Sequence, residues 1–118
     1  MGPGFRVYIL ETELPYAVSF HSEWTLDVTP VYEIGETAPI GVQESGSLWK
    51  FQLEELVPAG CRETEFPVSV FHFQVENDVT RETYYRCCWT GIRREYTPRG
   101  LRLIRTGISM ERKEESLG

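Results

Sequence analysis

Polar and apolar residues alternate with a period of two along most of this 118-residue chain. Between residues 16 and 26, His21 and Glu23 fall on one side, and Phe20 and Trp24 fall on the other. Successive side chains of a β-strand point to opposite faces of its sheet, so the alternation is typical of half-buried strands. Prolines and glycines separate the alternating stretches and interrupt any long helix. The pattern therefore predicts an all-β protein.

The alternating stretches suffice for a single β-barrel or sandwich of about six to seven strands. The length fits one packed core, so we expect a single domain over residues 1–110 and a charged C-terminal tail over 111–118. This tail has little to bury, and we expect it to fray or to be recruited by a neighbouring subunit. The one place for a helix is Glu54–Gly60, where Pro58 limits it to about one turn.

The segment Asp27–Ser47 breaks the regular alternation. Prolines and glycines divide it into turns, at Pro30, Gly35, Pro39, Gly41 and Gly46. It is nevertheless too apolar for a solvated loop, because it also contains Val31, Tyr32, Ile34, Ile40 and Val42. We therefore expect a long inter-strand loop that lies against another surface.

Charge is distributed unevenly along the chain. There are 12 Lys and Arg residues and 18 Asp and Glu residues, a net charge of −6. Residues 1–59 hold nine acids and two bases, a net of −7, whereas residues 60–118 hold nine acids and ten bases, a net of +1. The acidic total argues against a general nucleic-acid-binding protein, which needs a basic surface to displace counterions. The 13% aromatic and 41% apolar content argues against disorder.

The sequence shows no signal peptide and no apolar run of membrane-spanning length, so we expect no membrane association. An odd number of cysteines without a secretion signal favours reduced thiols at Cys61, Cys87 and Cys88, with a disulfide among them as the alternative. Neighbouring residues of a strand face opposite ways, so one of Cys87 and Cys88 should be buried.

Groups that could perform catalysis are sparse. His21 and His72 lie on predicted strands without the spacing of a catalytic triad, and the cysteines and histidines form no zinc-binding pattern. No phosphate-binding glycine motif is present. We therefore expect a protein that is not an enzyme and has no metal and no cofactor.

Seven arginines fall within 25 residues, at Arg81, Arg86, Arg93, Arg94, Arg99, Arg102 and Arg105. They admit three interpretations: a solvated strand face, a nucleic-acid groove and an interface between copies. The groove could use the neighbouring aromatic residues Tyr84, Tyr85, Trp89 and Tyr96, although the acidic total opposes it. For the interface, arginine pairs well with carboxylates, so an acidic front half could dock on Arg93, Arg94, Arg99, Arg102 and Arg105 of the next copy. Such a head-to-tail contact produces rings or filaments.

The stretch Thr29–Val42, followed by Glu44–Phe51, resembles the tail-tube-fold structural proteins of tailed bacteriophages. Phe66–Val70 is similar to a later strand of that family, and Gly100–Ser109 falls where its last strand would be. The resemblance covers residues 5–56 and 66–110. It implies a virion protein, made in the host cytoplasm, that self-assembles into stacked hexameric rings forming the tail tube.

The resemblance also assigns partners and surfaces. It implies contacts with sheath, terminator or baseplate proteins, and DNA only as passing cargo through an electronegative lumen. The segment Asp27–Ser47 would be the stacking loop, with inter-subunit contacts at Val31, Tyr32, Ile34, Gly35, Pro39, Ile40, Gly41 and Val42. Many tube subunits have a proper helix that this chain lacks room for. A tail terminator, tube initiator or baseplate component is therefore the alternative, and a small nucleic-acid-binding β-barrel is the rival from another class.

Overall fold

The computed structural model describes residues 4–31, 34–35, 41–66 and 70–117. Within these residues it contains seven strands and no helix, so the predicted all-β class is confirmed. The strands are β1 Arg6–Ile9, β2 Thr12–Glu13, β3 Ala17–Val31, β4 Gly41–Pro58, β5 Phe71–Glu76, β6 Thr80–Thr97 and β7 Gly100–Ser116.

The seven strands form one antiparallel sheet in the order β2-β1-β5-β6-β7-β4-β3. The sheet curls strongly, because Phe20 on the edge strand β3 reaches strands on the other side. Its ring lies 5.7 Å from the rings of both Phe73 on β5 and Tyr84 on β6. Backbone pairing between described residues does not join β3 to β1 or β2, so the result is an open barrel.

An aromatic core fills the inner face of this barrel. Phe51, Phe73 and Tyr84 are almost completely buried, and the rings of Phe73 and Tyr84 stack at 4.7 Å. This packing explains why apolar and polar residues alternate in the sequence. Leu53 on β4 is buried, while its neighbour Gln52 is exposed. Burial of so much apolar area is the main stabilising contribution to the fold.

The predicted helical turn at Glu54–Gly60 is wrong, because β4 continues through Pro58. Glu55 and Val57 keep the inward positions of the alternation and are buried, and β7 pairs with this part of β4. A proline is tolerated at a strand end, where no ladder hydrogen bond from its nitrogen is needed.

The prediction of a frayed tail is also wrong in the described part of the chain, because β7 runs to Ser116 alongside β6. Cross-strand pairing replaces apolar burial here. Arg81 pairs with Glu115 at 3.2 Å, and Arg112 pairs with Glu82. Opposite charges on neighbouring strands stabilise such a ladder.

Strands also occupy much of the predicted loop Asp27–Ser47. β3 extends to Val31, and β4 begins at Gly41, with Val31 opposite Gly41. Pro30 fits because β3 is an edge strand that has one partner strand within the described structure. The described residues of the segment therefore form two paired antiparallel strands rather than an irregular loop.

Candidate assembly surfaces

The hairpin of β3 and β4 extends beyond the barrel. We call residues 27–31 and 41–46 the arm; their described backbone pairs are with each other, whereas β7 reaches β4 only from Trp49 onward. The molecule is accordingly elongated, with extents of 65 × 37 × 25 Å. Its radius of gyration is 18.4 Å, against about 13.5 Å for a compact chain of this length.

The predicted stacking residues lie on or near this arm. Val31, Gly41 and Val42 are strand residues, and Ile34 and Gly35 form a turn beyond them. The side chain of Ile34 is fully exposed, and Gly35 has a φ of 88°, a left-handed conformation that glycine adopts without strain. Tyr32, Pro39 and Ile40 lie outside the described residues.

An open groove lies at the opposite end of the barrel, beside the β6–β7 turn. We call it the turn groove. It has a volume of about 440 Å³ and is lined by Val18, Glu54, Leu56, Thr97, Pro98, Arg99 and Arg102. Its walls are largely apolar, with Val18 44% exposed, while its charged residues come from β4, β7 and the turn.

Three of the five predicted interface arginines pair with glutamates of the same chain. Arg94 binds both carboxylate oxygens of Glu63, at 2.8 and 2.9 Å. Arg102 binds Glu54 and also approaches Glu95, at 3.5 Å. The third is Arg105, which is described next.

Arg105 lies on the inner face of β7 and forms a buried ion pair with Glu55, with Nε 3.2 Å from Oε1. The Glu55 side chain has no exposed surface, and that of Arg105 is 11% exposed. The guanidinium also lies 3.7 Å from the centre of the Phe66 ring, a cation–π contact. Burial raises the pKa of Glu55 despite Arg105, and its second oxygen has no hydrogen-bond partner in the described structure.

Arg93 and Arg99 differ from these three arginines. Both are exposed, and neither forms an ion pair with any described residue. The uneven charge of the two halves is therefore partly neutralised inside the chain, where Glu54 and Glu55 of the front half meet arginines of the back half. Only part of the predicted arginine set remains available to another copy.

A polar cluster that the sequence did not single out lies where β4 and β7 diverge. The Tyr84 hydroxyl donates to Glu82 at 2.8 Å and is 2.9 Å from the Ser22 hydroxyl. Arg112 lies 4.8 Å from the Trp49 ring and binds Glu82. Burial raises the pKa of Tyr84 to about 12, so the phenol stays neutral and available as a donor. The inward alternation of Tyr84 was the only sequence signal for this site.

All three cysteines are free thiols in the structure. Cys87 is buried and Cys88 is half-buried, as the alternation predicts, and Cys61 is exposed on the segment after β4. Burial raises the pKa of Cys87 to about 11, which keeps this thiol protonated and poorly reactive. Among the described residues, no cluster of His, Cys, Asp and Glu is arranged to hold a metal ion. The same residues include no helix long and apolar enough to cross a membrane.

The fold has clear counterparts among solved structures, although no protein-family model and no curated protein matches the sequence. In the sheath-tube complex of an extracellular contractile injection system (PVC, extended state), one chain matches with a TM-score of 0.69. The match has 10% identity and covers 98% of this chain and 90% of that one.

Two further matches are terminal components. The tube-terminating cap of the anti-feeding prophage matches with a TM-score of 0.67 and 9% identity, over 97% of this chain and 89% of that one. The sheath/tube terminator of the PVC system matches with a TM-score of 0.66 and 11% identity, over 94% and 92% of the two chains. Coverage is nearly complete on both sides. The chain therefore has the tail-tube fold, as the resemblance implies.

Proposed function

We propose that this protein is a structural subunit of a phage tail or a related contractile injection system, and that copies of it form a ring in the tube or at its end. The observation that carries this proposal is the arm, which leaves the barrel with its own backbone paired and a fully exposed isoleucine beyond it. The likeness in fold to tube, cap and terminator proteins supports it.

The ring is proposed to be a hexamer that stacks through the arm. Among the described residues, strand β3 pairs along one edge only, and the short β2 ends the sheet on the other side. Unpaired sheet edges are templates for pairing with another chain unless something covers them. Neighbouring copies in the ring would cover each other's edges, including that of the 15-residue β3.

We also propose that DNA passes through the tube, but the surface charge of the sheet supports this part of the proposal only weakly. Where β4 pairs with β7, over residues 49–58 and 100–109, the outer face of the sheet with the adjoining parts of β3 and β6 has equal numbers of acids and bases: Glu23, Glu54 and Glu95 against Lys50, Arg93 and Arg102. A face with this balance neither attracts nor repels a phosphate backbone strongly. The expected DNA-repelling wall therefore cannot come from this face alone.

The rival function, a nucleic-acid-binding barrel, loses two of its four proposed stacking residues to the core. Tyr84 is completely buried in the aromatic core, and Trp89 packs against Phe51 and Phe71 at 5.5 and 4.8 Å. Bases stack only on exposed rings. Of the described aromatics proposed for that groove, Tyr96 alone is broadly exposed, at 78%.

Assembly of the purified chain tests the proposal. We expect light scattering after size exclusion to show a hexamer at high concentration, and negative-stain images to show rings of matching size. A species that stays monomeric at every concentration would contradict the proposed function. Copurification with tail proteins from infected or producing cells would then identify a tube, terminal or baseplate position.

A further inference from the structure

The sheet divides beside the base of the arm. β4 pairs with β7 from Trp49 to Pro58, with Trp49 opposite Ser109. Beyond this pair β4 continues with β3 into the arm, whereas β7 continues along β6 to Ser116. We propose that Arg112 is a positioning residue, which holds Trp49 at this division and so fixes the angle between the arm and the barrel. The angle is a property of the single chain, and its use in assembly rests on the proposed function.

Arg112 connects the two sides of the division through different parts of one guanidinium. Its Nη2 atom donates to Glu82 and, at 3.0 Å, to Glu114, and both carboxylates belong to strands of the barrel. Its Cζ atom lies 4.8 Å from the centre of the Trp49 ring on β4. A guanidinium donates hydrogen bonds within its plane and contacts aromatic rings with its face, so it can do both at once. The barrel therefore anchors the arginine, and the ring contact extends this anchoring to the base of the arm.

A second link attaches the other strand of the arm to the same region. The Tyr84 hydroxyl on β6 lies 2.9 Å from the hydroxyl of Ser22 on β3. Ser22 lies two residues before Trp24, which is opposite Trp49. Tyr84 is completely buried, and the centre of its ring lies 6.0 Å from Cζ of Arg112. Both strands that form the arm are thus attached to β6 or β7 close to the division.

The environment of Arg112 favours a positioning role over that of a surface ion pair. Its side chain is 18% exposed, against 34% for Arg81, which also pairs with two glutamates. The Nε atom of Arg112 is buried without a hydrogen-bond partner in the described structure. An unpaired buried donor is unfavourable, so hydrogen bonds alone do not explain where the guanidinium lies. The contact with Trp49 accounts for its position.

Double electron–electron resonance measures the angle in dilute, unassembled protein. Cys61→Ser and Cys88→Ser remove the accessible thiols. Spin labels are then attached at Ile34→Cys, beyond the arm, and at Val79→Cys, in the β5–β6 turn at the same end of the barrel; both positions are exposed. We expect a narrow distribution of distances between the labels. Arg112→Met should broaden this distribution about twofold or more, because a two-stranded ribbon is not held rigidly by its own contacts.

Arg81→Met is the matched control, because Arg81 pairs with Glu76 and Glu115, which both belong to strands of the barrel. It should leave the distribution narrow. Trp49→Phe keeps an aromatic face and should keep most of the narrowness, whereas Trp49→Leu should broaden the distribution as Arg112→Met does. The double variant should be no broader than either single one, since both remove the same contact. Trp49→Leu also decides the question if Arg112→Met does not fold.

The outcomes separate this inference from the proposed function. A distribution that Arg112→Met leaves unchanged, one that Arg81→Met broadens equally, or one already broad in the unmodified chain would overturn the positioning role. Arg112→Met should also raise the concentration needed for association about tenfold, because the arm must then be ordered on contact. Unchanged association of a broadened chain would overturn the use of the angle in assembly. A chain that never associates would contradict the proposed function, while the distance measurement would still decide the role of Arg112.

Discussion

The barrel and the arm differ in what stabilises them. Inside the barrel, aromatic rings pack at centroid distances from 4.7 Å, and Glu55 forms a buried ion pair with Arg105. The described arm has backbone pairs between two strands, and the side chain of Ile34 beyond it is fully exposed. A two-stranded ribbon is at best marginally stable on its own. The difference indicates that the barrel folds for itself and that the arm is completed by another surface.

The largest expected effect on the barrel comes from breaking its buried ion pair. Arg105→Met removes the charge partner of Glu55, whose side chain has no exposed surface. Leaving a buried charge uncompensated typically costs about 3–5 kcal/mol, so we expect a loss of that size in the free energy of unfolding, measured with urea at neutral pH.

The matched control is Arg102→Met on the same strand, where the arginine is 41% exposed. An exposed pair contributes about 0.2–1 kcal/mol, so this loss should be small. Adding Glu55→Leu to Arg105→Met should recover much of the stability, since apolar replacements of buried ion pairs are often tolerated. Equal losses for the two single variants would show that the barrel does not depend on its buried pair.

The next largest effect concerns the closeness of packing on β7. A Cβ atom at Gly107 would lie 2.5 Å from Cζ of Phe51 and 2.7 Å from the carbonyl oxygen of Cys88. Gly107→Ala should therefore destabilise by about 1–3 kcal/mol, as overpacking of cores does. Gly91→Ala is the control, since its Cβ would meet only the Thr106 hydroxyl oxygen, at 3.3 Å. If Gly91→Ala costs as much in the same unfolding measurement, close approach at Gly107 is not the cause.

The same comparison explains what the sequence could predict. The barrel was predictable as all-β because Phe51 and Leu53 alternate with Lys50 and Gln52. Adjacent residues of a strand face opposite sides of the sheet, so this pattern can be read from neighbours in the sequence. The prediction of a helical turn at Glu54–Gly60 was wrong because glutamate in a sequence normally indicates an exposed position, whereas Glu55 is buried in the strand. The partner that compensates the charge of Glu55 is Arg105, 50 residues away in the sequence.

The candidate site was predictable only where it depends on neighbours in the chain. An apolar segment punctuated by prolines and glycines indicated a contact region, and Ile34 and Gly35 lie in the turn beyond the arm. The arginines could not be sorted, because Arg99 and Arg105 look alike in sequence and differ only in the strand face and the glutamates that the curled sheet brings to them.

A smaller effect is the dependence of stability on pH. The adjacent residues Glu54 and Glu55 should contribute to it with opposite signs. Arg102, with help from Ser19, holds the pKa of Glu54 below its usual 4.5, so its contribution to stability is present above that value and is lost as pH falls through the lowered pKa. Burial raises the pKa of Glu55, so its contribution is greatest below 4.5 and declines as pH rises through the raised pKa.

Unfolding free energies of three chains across acidic pH measure this difference. Glu54→Gln should weaken the loss of stability on acidification relative to the unmodified chain. Glu55→Gln should instead remove a decline that occurs as pH rises above 4.5. Parallel pH profiles for the two variants would contradict the assignment of opposite environments to these neighbours.

The smallest effect on the free energy of unfolding should come from a change beyond the arm. This variant is the most direct test of the difference between the barrel and the arm. Ile34→Asp replaces a fully exposed side chain, so the free energy of unfolding of the isolated chain should change by less than about 0.5 kcal/mol. The same change should weaken stacking by roughly 2–5 kcal/mol, because an unpaired charge would be buried between copies. Urea unfolding of dilute protein and sedimentation of concentrated protein separate the two quantities. A variant that loses stability but still stacks would place Ile34 inside its own fold, and the division of the molecule into a self-sufficient barrel and an arm completed by another copy would not hold.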